Sequence, residues 1–150
     1  MKAELGTAQA ADLEQLVELL GLLFAQEQEM SPDPVKQRAG LSRILGDPSI
    51  GTLYVAREGT RVLGMVSILR SVSTAEGGAV GLMEDLIVRP EHRGRGVGGR
   101  LLAYAIEQSR AAGLLRLTLL TDGDNARAQR LYEKAGFIRS GMLPMRLALR

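Results

Sequence analysis

A glycine-rich stretch between an aliphatic run and a helical pattern is the feature that most limits how this chain can fold. Residues 93–99 read Arg-Gly-Arg-Gly-Val-Gly-Gly, with β-type residues before them at 81–88 and helical apolar spacing after them from Val97. Glycine loses the most entropy on folding and has no side chain to pack, so this density is expected where bare backbone is useful. The pattern predicts a strand, a loop and a helix whose free N–H groups can receive an anion such as phosphate.

Other interpretations of this stretch remain open but are weaker. It can be a flexible exposed turn that only starts a helix. Gly94, Gly96 and Gly99 also match the G-x-G-x-x-G pattern of dinucleotide sites, with Asp122 near the position of a ribose-binding acid. Residues 89–93 separate the first glycine from its strand, and only one helical crossover is visible. A nucleotide-hydrolase phosphate loop is excluded because no Lys-Ser or Lys-Thr pair follows the last glycine.

The rest of the pattern predicts an α/β fold in a single domain over residues 1–150, the usual length of one domain. We expect a central mixed, mainly antiparallel sheet of about six or seven strands, flanked by about four helices. A helix between strands at 81–88 and 114–121 implies that these two strands pair in parallel. The predicted strands are 2–6, 52–57, 62–70, 79–88, 114–121 and one or two in 137–149. The first predicted helix follows Asp12, its expected cap, and the others span 35–45, 97–113 and 125–135. Gly136 is the expected C-cap of the last helix.

Composition excludes several classes of function. The net charge is only +2, which does not indicate nucleic acid or a membrane surface as a partner. The absence of cysteine excludes disulfides and a cysteine nucleophile, and His92 is the only histidine, so we expect no metal site. No signal peptide or membrane-spanning run is visible at the sequence level, so we expect a cytoplasmic protein.

Three segments carry a resemblance to a known family. They are Leu86-Ile-Val88-Arg-Pro90, then Arg93-Gly-Arg-Gly-Val-Gly98, which fits Q/R-x-x-G-x-G/A, and then Asn125-Ala-Arg-Ala-Gln-Arg-Leu-Tyr132-Glu-Lys-Ala-Gly-Phe137. Their order and spacing over 81–137 resemble the GNAT superfamily of N-acetyltransferases, whereas residues 1–73 agree only in their pattern of helices and strands.

The resemblance implies acetyl-CoA as cosubstrate. Its pyrophosphate would lie on the amides of 94–99, and its pantetheine arm would pair with the backbone of 86–88, in a space opened by a bulge and a splay between the fourth and fifth strands. The cofactor contacts implied are Leu86, Ile87, Val88, Arg93, Gly94, Arg95, Gly96, Val97, Gly98, Gly99, Asn125 and Ala128. Asn125 can also cap a helix by its own chemistry.

Two residues are the catalytic candidates. An amine with a pKa of about 10.4 must lose a proton before it attacks a thioester, and Met83-Glu84-Asp85-Leu86 resembles the family's Leu-Glu-Asp-Phe, so Glu84 is the expected base. It can instead be an ordinary polar strand residue, with a water chain as the base. Strand alternation would place Asp85 on the opposite face from Glu84. Tyr132 matches the family's general acid, although its helical stripe also fits a core position.

We therefore expect an N-acetyltransferase that transfers the acetyl group of acetyl-CoA to a primary amine of a small molecule or peptide, by direct attack in a ternary complex. The alternative is a non-catalytic domain that binds or senses acyl-CoA. The resemblance assigns the acceptor to about residues 26–36, which carry no signature. Glu14, Glu18, Glu27 and Glu29 are expected on the solvated face of the first helix, although Glu27, Glu29, Asp33 and Glu84 would favour a cationic amine if they converge. The resemblance further implies a homodimer through the C-terminal strands or through the sheet faces, and residues 143–149 alternate as an edge strand would.

Overall fold

A five-stranded sheet with helices on both faces forms the centre of the protein in the computed structural model, which describes residues 2–27 and 29–150. The strands are β1 (Glu4–Thr7), β2 (Gly51–Glu58), β3 (Arg61–Ser73), β4 (Gly78–Val88) and β5 (Leu117–Leu119). The helices are α1 (Leu13–Gln26), α2 (Pro34–Gly46), α3 (Val97–Ala111) and α4 (Ala126–Lys134), with single 3-10 turns at Ala10–Asp12 and Pro90–His92.

The strands lie in chain order, from β1 at one edge to β5 at the other. The first four pair antiparallel, and β5 pairs parallel with β4 after the α3 crossover. This confirms the predicted mixed, mainly antiparallel sheet and the predicted parallel pair. None of the described helices combines the length and the apolar character needed to span a bilayer.

The predicted strand count of six or seven is wrong, because the segment 137–149 contains no strand. Its apolar side chains alternate as they would in a strand, but a strand needs a neighbour for its backbone N–H and C=O groups. The last strand in the sheet, β5, is three residues long, and no described residue of the tail pairs with it. The tail therefore has no regular secondary structure and is largely exposed.

Two apolar layers hold the helices to the sheet. Leu16, Leu19 and Leu20 of α1 pack with Val55 and Met65 on one face. On the other face, Leu101 and Leu102 of α3 pack with Tyr54, Val66 and Met83. The helices therefore cover both faces of the sheet. The ends of α1, α3 and α4 meet at the same edge of the sheet.

The caps of the first two helices differ. Asp33 caps α2 as a side-chain acceptor for the N–H groups of Val35 and Lys36. Asp12 occupies the predicted N-cap position of α1, but its side chain makes no cap bond there. Its carboxylate instead accepts from the Gln9 N–H of the preceding turn and binds Arg57 on β2. Asp12 thus joins the start of α1 to the sheet.

A bulge interrupts the pairing of β3 and β4 at Ser67. Val66 pairs with Leu86 and Ile68 with Met83, so Glu84 and Asp85 together face the single residue Ser67. A bulge breaks the alternation of side chains that holds in a regular strand.

The prediction that Glu84 and Asp85 point to opposite faces is therefore wrong. Met83 and Leu86 both pack against the α3 layer although they are three residues apart, and Ile87 packs in the α1 layer. The extra residue lets Glu84 and Asp85 both fall on the α1 side. The Asp85 N–H donates to the Ser67 hydroxyl at 3.2 Å, which fixes the bulge.

Candidate active site

The sheet opens between β4 and β5. The two strands pair only at Gly81, Leu82 and Met83, whereas β4 continues to Val88. Beyond Met83, one edge of β4 therefore has no strand beside it. A cleft of about 680 Å³ extends from this edge along the N-terminus of α3 to α4 and the end of α1.

The cleft brings together nearly all the residues predicted for a site. Both catalytic candidates, Glu84 and Tyr132, line it. So do the following cofactor candidates: Leu86, Ile87, Val88, Arg93, Gly94, Gly96, Val97, Gly98, Gly99, Asn125 and Ala128. Arg95 is exposed and does not line the cleft.

The glycine-rich loop presents bare backbone to this cleft. Gly94 and Gly96 have φ of +78° and +80°, a left-handed conformation that favours glycine. Gly96 is the N-cap of α3 and supplies no side-chain cap bond, so the first helical N–H groups have no partner within the helix. A Cβ on Gly98 or Gly99 would meet only ordinary protein contacts at 3.6 and 3.9 Å. Packing within the protein therefore does not require glycine at these two positions. An anion bound to the amides would require it, because a side chain would occupy the same space.

Arg93 adds positive charge beside the loop. Its Nε donates to the Val88 carbonyl at 2.9 Å, which holds the guanidinium at the open end of β4. One terminal nitrogen of Arg93 is buried and has no hydrogen-bond partner among the described residues. A buried unpaired donor is costly, and the combination of this donor with free amides at a helix N-terminus fits a phosphate group.

Acidic side chains gather at the other end of the cleft. Glu84, Glu27 and Asp122 line it. Burial is the main cause that raises the pKa of Glu27, and the carboxylates of Asp122 and Glu84 add to it. Burial also raises the pKa of Asp85 to about 7, with further increases from Glu84 and Glu27 and opposition from the Ser67 hydroxyl. This end of the cleft favours a positively charged guest or a bound proton.

Tyr132 faces the cleft from α4. Its ring packs edge-to-face against Phe137, with 6.0 Å between the ring centroids, and against the α3 layer. Tyr132 therefore also contributes to the apolar core, as its helical position predicted. Burial, and to a lesser extent Glu27, raises the pKa of Tyr132. The phenol therefore stays protonated at neutral pH and can donate a proton into the cleft.

Asn125 caps α4. Its side-chain oxygen accepts from the Ala128 N–H at 3.1 Å, while the residue also lines the cleft. The helix-capping role predicted for it is thus present in the structure, and the amide group remains at the wall where a ligand contact is predicted.

Some lining residues did not follow from the sequence. Glu27 and Glu29 were expected on the solvated face of α1, but they line the cleft together with Glu84, as in the alternative of convergence. Asp33, the fourth acid of that alternative, does not line it, whereas His92, treated as a loop residue, does. Arg146 reaches the cleft from the tail and binds Glu29 at 2.6 Å. No local sequence pattern predicts that these residues line the cleft, because α1 and the tail meet the loop only in the folded chain.

Gln28, inside the predicted acceptor segment 26–36, lies outside the described residues. Within the described part of the chain, no three His, Asp or Glu side chains form a group that could hold a metal ion.

Comparison with known proteins gives the family. Residues 13–137 match the sequence profile described as the acetyltransferase (GNAT) family. The chain belongs to the GNAT family. The match runs from the start of α1 past the end of α4; it leaves out β1 but includes the whole glycine-rich loop and Tyr132.

Curated GNAT relatives are similar over different lengths. The glucosamine 6-phosphate N-acetyltransferase of Trypanosoma brucei brucei is 32% identical over 148 residues, which cover 97% of this chain and 95% of that enzyme. The aminoalkylphosphonate N-acetyltransferase of Salmonella typhimurium is 32% identical over 103 residues, 69% of this chain, and the match spans 66% of that enzyme's length.

A solved structure supports the GNAT fold over nearly the whole chain. An acetyltransferase from Trypanosoma brucei superposes with a TM-score of 0.74 at 30% identity, covering 98% of this chain and 99% of that one. The described sheet, including its opening beyond Met83, is therefore a GNAT acetyltransferase fold that supports acyl transfer.

Proposed function

We propose that this protein, as a single GNAT domain, transfers the acetyl group of acetyl-CoA to a primary amine of a small molecule or peptide. The observation that carries the proposal is the single cleft that is lined by the open edge of β4, the bare N-terminus of α3, and both Glu84 and Tyr132. One ligand in this cleft can contact the anion-binding amides and the two candidate proton-transfer groups at the same time.

The chain offers a distinct contact for each part of acetyl-CoA. The amides of 94–99 and the Arg93 guanidinium bind the pyrophosphate, because free N–H groups and a cation both favour it. The backbone of 86–88 lies on the β4 edge that β5 leaves unpaired, where an extended amide-containing arm can pair as an added strand. Asn125 and Ala128 contact the arm from α4. Acetyl-CoA supplies the thioester, whose carbonyl carbon accepts the amine and whose sulfur leaves.

The chain's own residues move the protons. At neutral pH an aliphatic amine is almost wholly protonated, so a carboxylate must remove a proton before the nitrogen can attack. Glu84 lines the cleft at the bulge and receives that proton in our proposal. The Tyr132 hydroxyl, kept protonated by its raised pKa, donates to the leaving sulfur. Amine and donor are bound together, so the transfer is direct and needs no covalent enzyme adduct.

The acceptor is a cationic amine. Glu27, Glu84 and Asp122 line the cleft, and the carboxylates of Glu84 and Asp122 act on Glu27. Glu29 also lines the cleft but is paired with Arg146. Carboxylates at this density attract an ammonium group and repel an acidic acceptor. The relatives named above act on amines that also carry a phosphonate or phosphate; for this chain, the acidic end of the cleft favours an amine without one.

Calorimetry and an amine screen test the proposal. Acetyl-CoA should bind the purified protein with one site per chain. In a thiol-release assay, mono- and diamines should be acetylated faster than amino acids or amino sugar phosphates. If acetyl-CoA binds but no amine in the library is acetylated, the chain is instead a non-catalytic acyl-CoA-binding domain. If acetyl-CoA does not bind, the cofactor site is refuted.

We also propose that two copies associate through the C-terminal tail. Its large apolar side chains are more than four-fifths exposed: Ile138, Met142, Leu143, Met145, Leu147 and Leu149. A contiguous apolar segment of this size is rare on a monomer surface. The alternation from Met145 to Leu149 suits an edge strand of a second copy.

A further inference from the structure

One titratable group beside the cleft has no role in the chemistry above. Asp85 follows Glu84 directly, is partly buried, and does not line the cleft wall. Carboxylates are rarely buried without a partner cation. None of the salt bridges in the described part of the chain involves Asp85.

The bulge determines where this carboxyl group lies. In a regular strand Asp85 would point away from Glu84, but the two residues face Ser67 together and share the α1 side. The Ser67 hydroxyl, itself almost fully buried, accepts from the Asp85 N–H at 3.2 Å and lies beside the Asp85 carboxyl group. Asp85 is thereby held one residue behind Glu84, on the inner side of the cleft wall.

The charges that face Asp85 come from three elements. Glu84 on β4 and Glu27 at the end of α1 are acidic, and Ser67 on β3 provides a neutral hydroxyl. Glu27 in turn faces Asp122, Glu29 and Arg146. No cation of the described residues is among the groups that act on Asp85, so burial and like charge together favour its protonated form.

We propose that Asp85 holds the proton that the acceptor ammonium loses, with Glu84 as the group that passes this proton inward; the inference rests on the proposed acetyl transfer. One ammonium N–H bond breaks, and its electron pair stays on the nitrogen, which becomes the nucleophile. The proton ends in a new O–H bond on the Asp85 carboxylate, so charge and atoms balance without a further reactant.

A group that titrates near neutrality suits this role better than an ordinary carboxylate. The free-energy cost of taking a proton from an ammonium falls as the base's pKa approaches that of the amine. With burial raising the pKa of Asp85 to about 7, it takes up the proton about 500-fold more favourably than a carboxyl group with an ordinary glutamate pKa of about 4.3. A pKa near neutrality also leaves part of the Asp85 population ionised at pH 7, so the carboxylate is available as a base.

The pH dependence of kcat/KM and a direct titration test the proposal together. With the best amine from the screen, wild type should lose activity on the acidic side with a midpoint near pH 7. In Asp85→Asn this midpoint should fall below pH 5.5, and the plateau value of kcat/KM should fall about 10- to 100-fold. Glu84→Gln should lower the rate and move the midpoint to lower pH without removing it, because the Glu84 carboxylate helps to raise the pKa of Asp85. Ser67→Ala removes the hydroxyl that opposes protonation, so its midpoint should move to higher pH.

An NMR titration measures the protonation of Asp85 directly, without catalytic turnover. In ¹³C-labelled wild-type protein, the side-chain carboxyl resonance that disappears in Asp85→Asn should titrate near pH 7. A titration below pH 5, or a kinetic midpoint that survives Asp85→Asn and vanishes in Glu84→Gln, overturns the role of Asp85 alone. If wild type acetylates no amine, the proposed function fails and takes this role with it, whatever the resonance shows.

Discussion

At the scale of single residues, burial decides how much an ion pair contributes to stability. Asp12 and Glu14 are neighbours in the sequence and each binds an arginine. The Asp12 and Arg57 side chains are 5% and 18% exposed, whereas those of Glu14 and Arg38 are 70% and 43% exposed. Water screens the second pair and leaves it weak, while the first holds the entry of α1 against β2.

Asp12→Asn should therefore destabilise the protein by about 2 kcal/mol, because Arg57 loses its bidentate partner while buried. The pairing lowers the pKa of Asp12 in the folded protein, so its contribution is complete above the unfolded value of about 3.9 and is lost as pH falls through the folded value. Thermal melts of wild type and variant should differ at pH 7 and begin to converge only as the pH falls below about 4. Glu14→Gln is the matched control and should leave the melting temperature nearly unchanged.

Tyr132→Phe isolates the proposed proton donor. The change keeps the packing against Phe137 and removes only the hydroxyl, so kcat should fall about 100-fold while the acetyl-CoA affinity and the melting temperature stay constant. Steady-state kinetics and calorimetry measure the two quantities separately. Tyr104→Phe, which removes a hydroxyl from α3 in the same apolar layer, is the control. An unchanged kcat in Tyr132→Phe would remove this residue from the mechanism.

At the scale of elements, the start of α3 combines two opposing demands. A helix N-terminus is stabilised by an acidic side chain, yet the same amides are proposed to bind the pyrophosphate. Gly98 lies in the first turn of α3 and lines the cleft, and a Cβ there would be 3.6 Å from Val88. An acidic residue at this position is therefore compatible with the fold and incompatible with a bound anion.

Gly98→Asp should separate these demands. The melting temperature should stay the same or rise, because the new carboxylate complements the helix dipole. The Kd for acetyl-CoA should rise about 10- to 100-fold through charge repulsion, as calorimetry would show. Gly40→Asp places the same charge on the exposed part of α2, where a Cβ meets nothing within 4 Å, and should leave the Kd unchanged. Equal affinities in all three proteins would refute the proposed pyrophosphate site.

At the scale of the whole molecule, the enclosed sheet contrasts with the exposed C-terminal tail. The apolar residues of β2, β3 and β4 are enclosed by helices on both faces, whereas the tail beyond Phe137 keeps its apolar side chains in solvent. The tail also reaches the cleft through Pro144 and Arg146. Association of two copies would cover the apolar segment and restrain one wall of the acceptor site.

Leu147→Lys combined with Leu149→Lys should convert the proposed dimer to a monomer. Both side chains are more than 80% exposed in the single chain, so the change costs little within it but places charge in the interface. Sedimentation velocity over a range of protein concentrations measures the change. The control is Val35→Lys with Val72→Lys, two exposed positions outside the tail. A wild-type protein that stays monomeric at every concentration contradicts the proposal.

Residues near one another in sequence were the ones that sequence analysis could place. The glycine-rich loop, the start of α3 and the cap at Asn125 follow from glycine conformation, helix geometry and capping chemistry, all of which act over a few residues. The same local periodicities predicted the helices and the order of β2, β3 and β4. The number of strands did not follow, because alternation in the tail does not supply a strand to pair with.

The sequence by itself determined which segments become helices and strands and where bare backbone meets a helix start, because these depend on local chain geometry. Tertiary structure alone decided that Asp85 shares the side of Glu84, that Glu27 and Arg146 reach the cleft, and that the tail is uncovered. These outcomes depend on the register between strands and on the packing of α1 and the tail beside β4. The residues involved are far apart in the chain, so their distances and shared burial exist only after the sheet has formed.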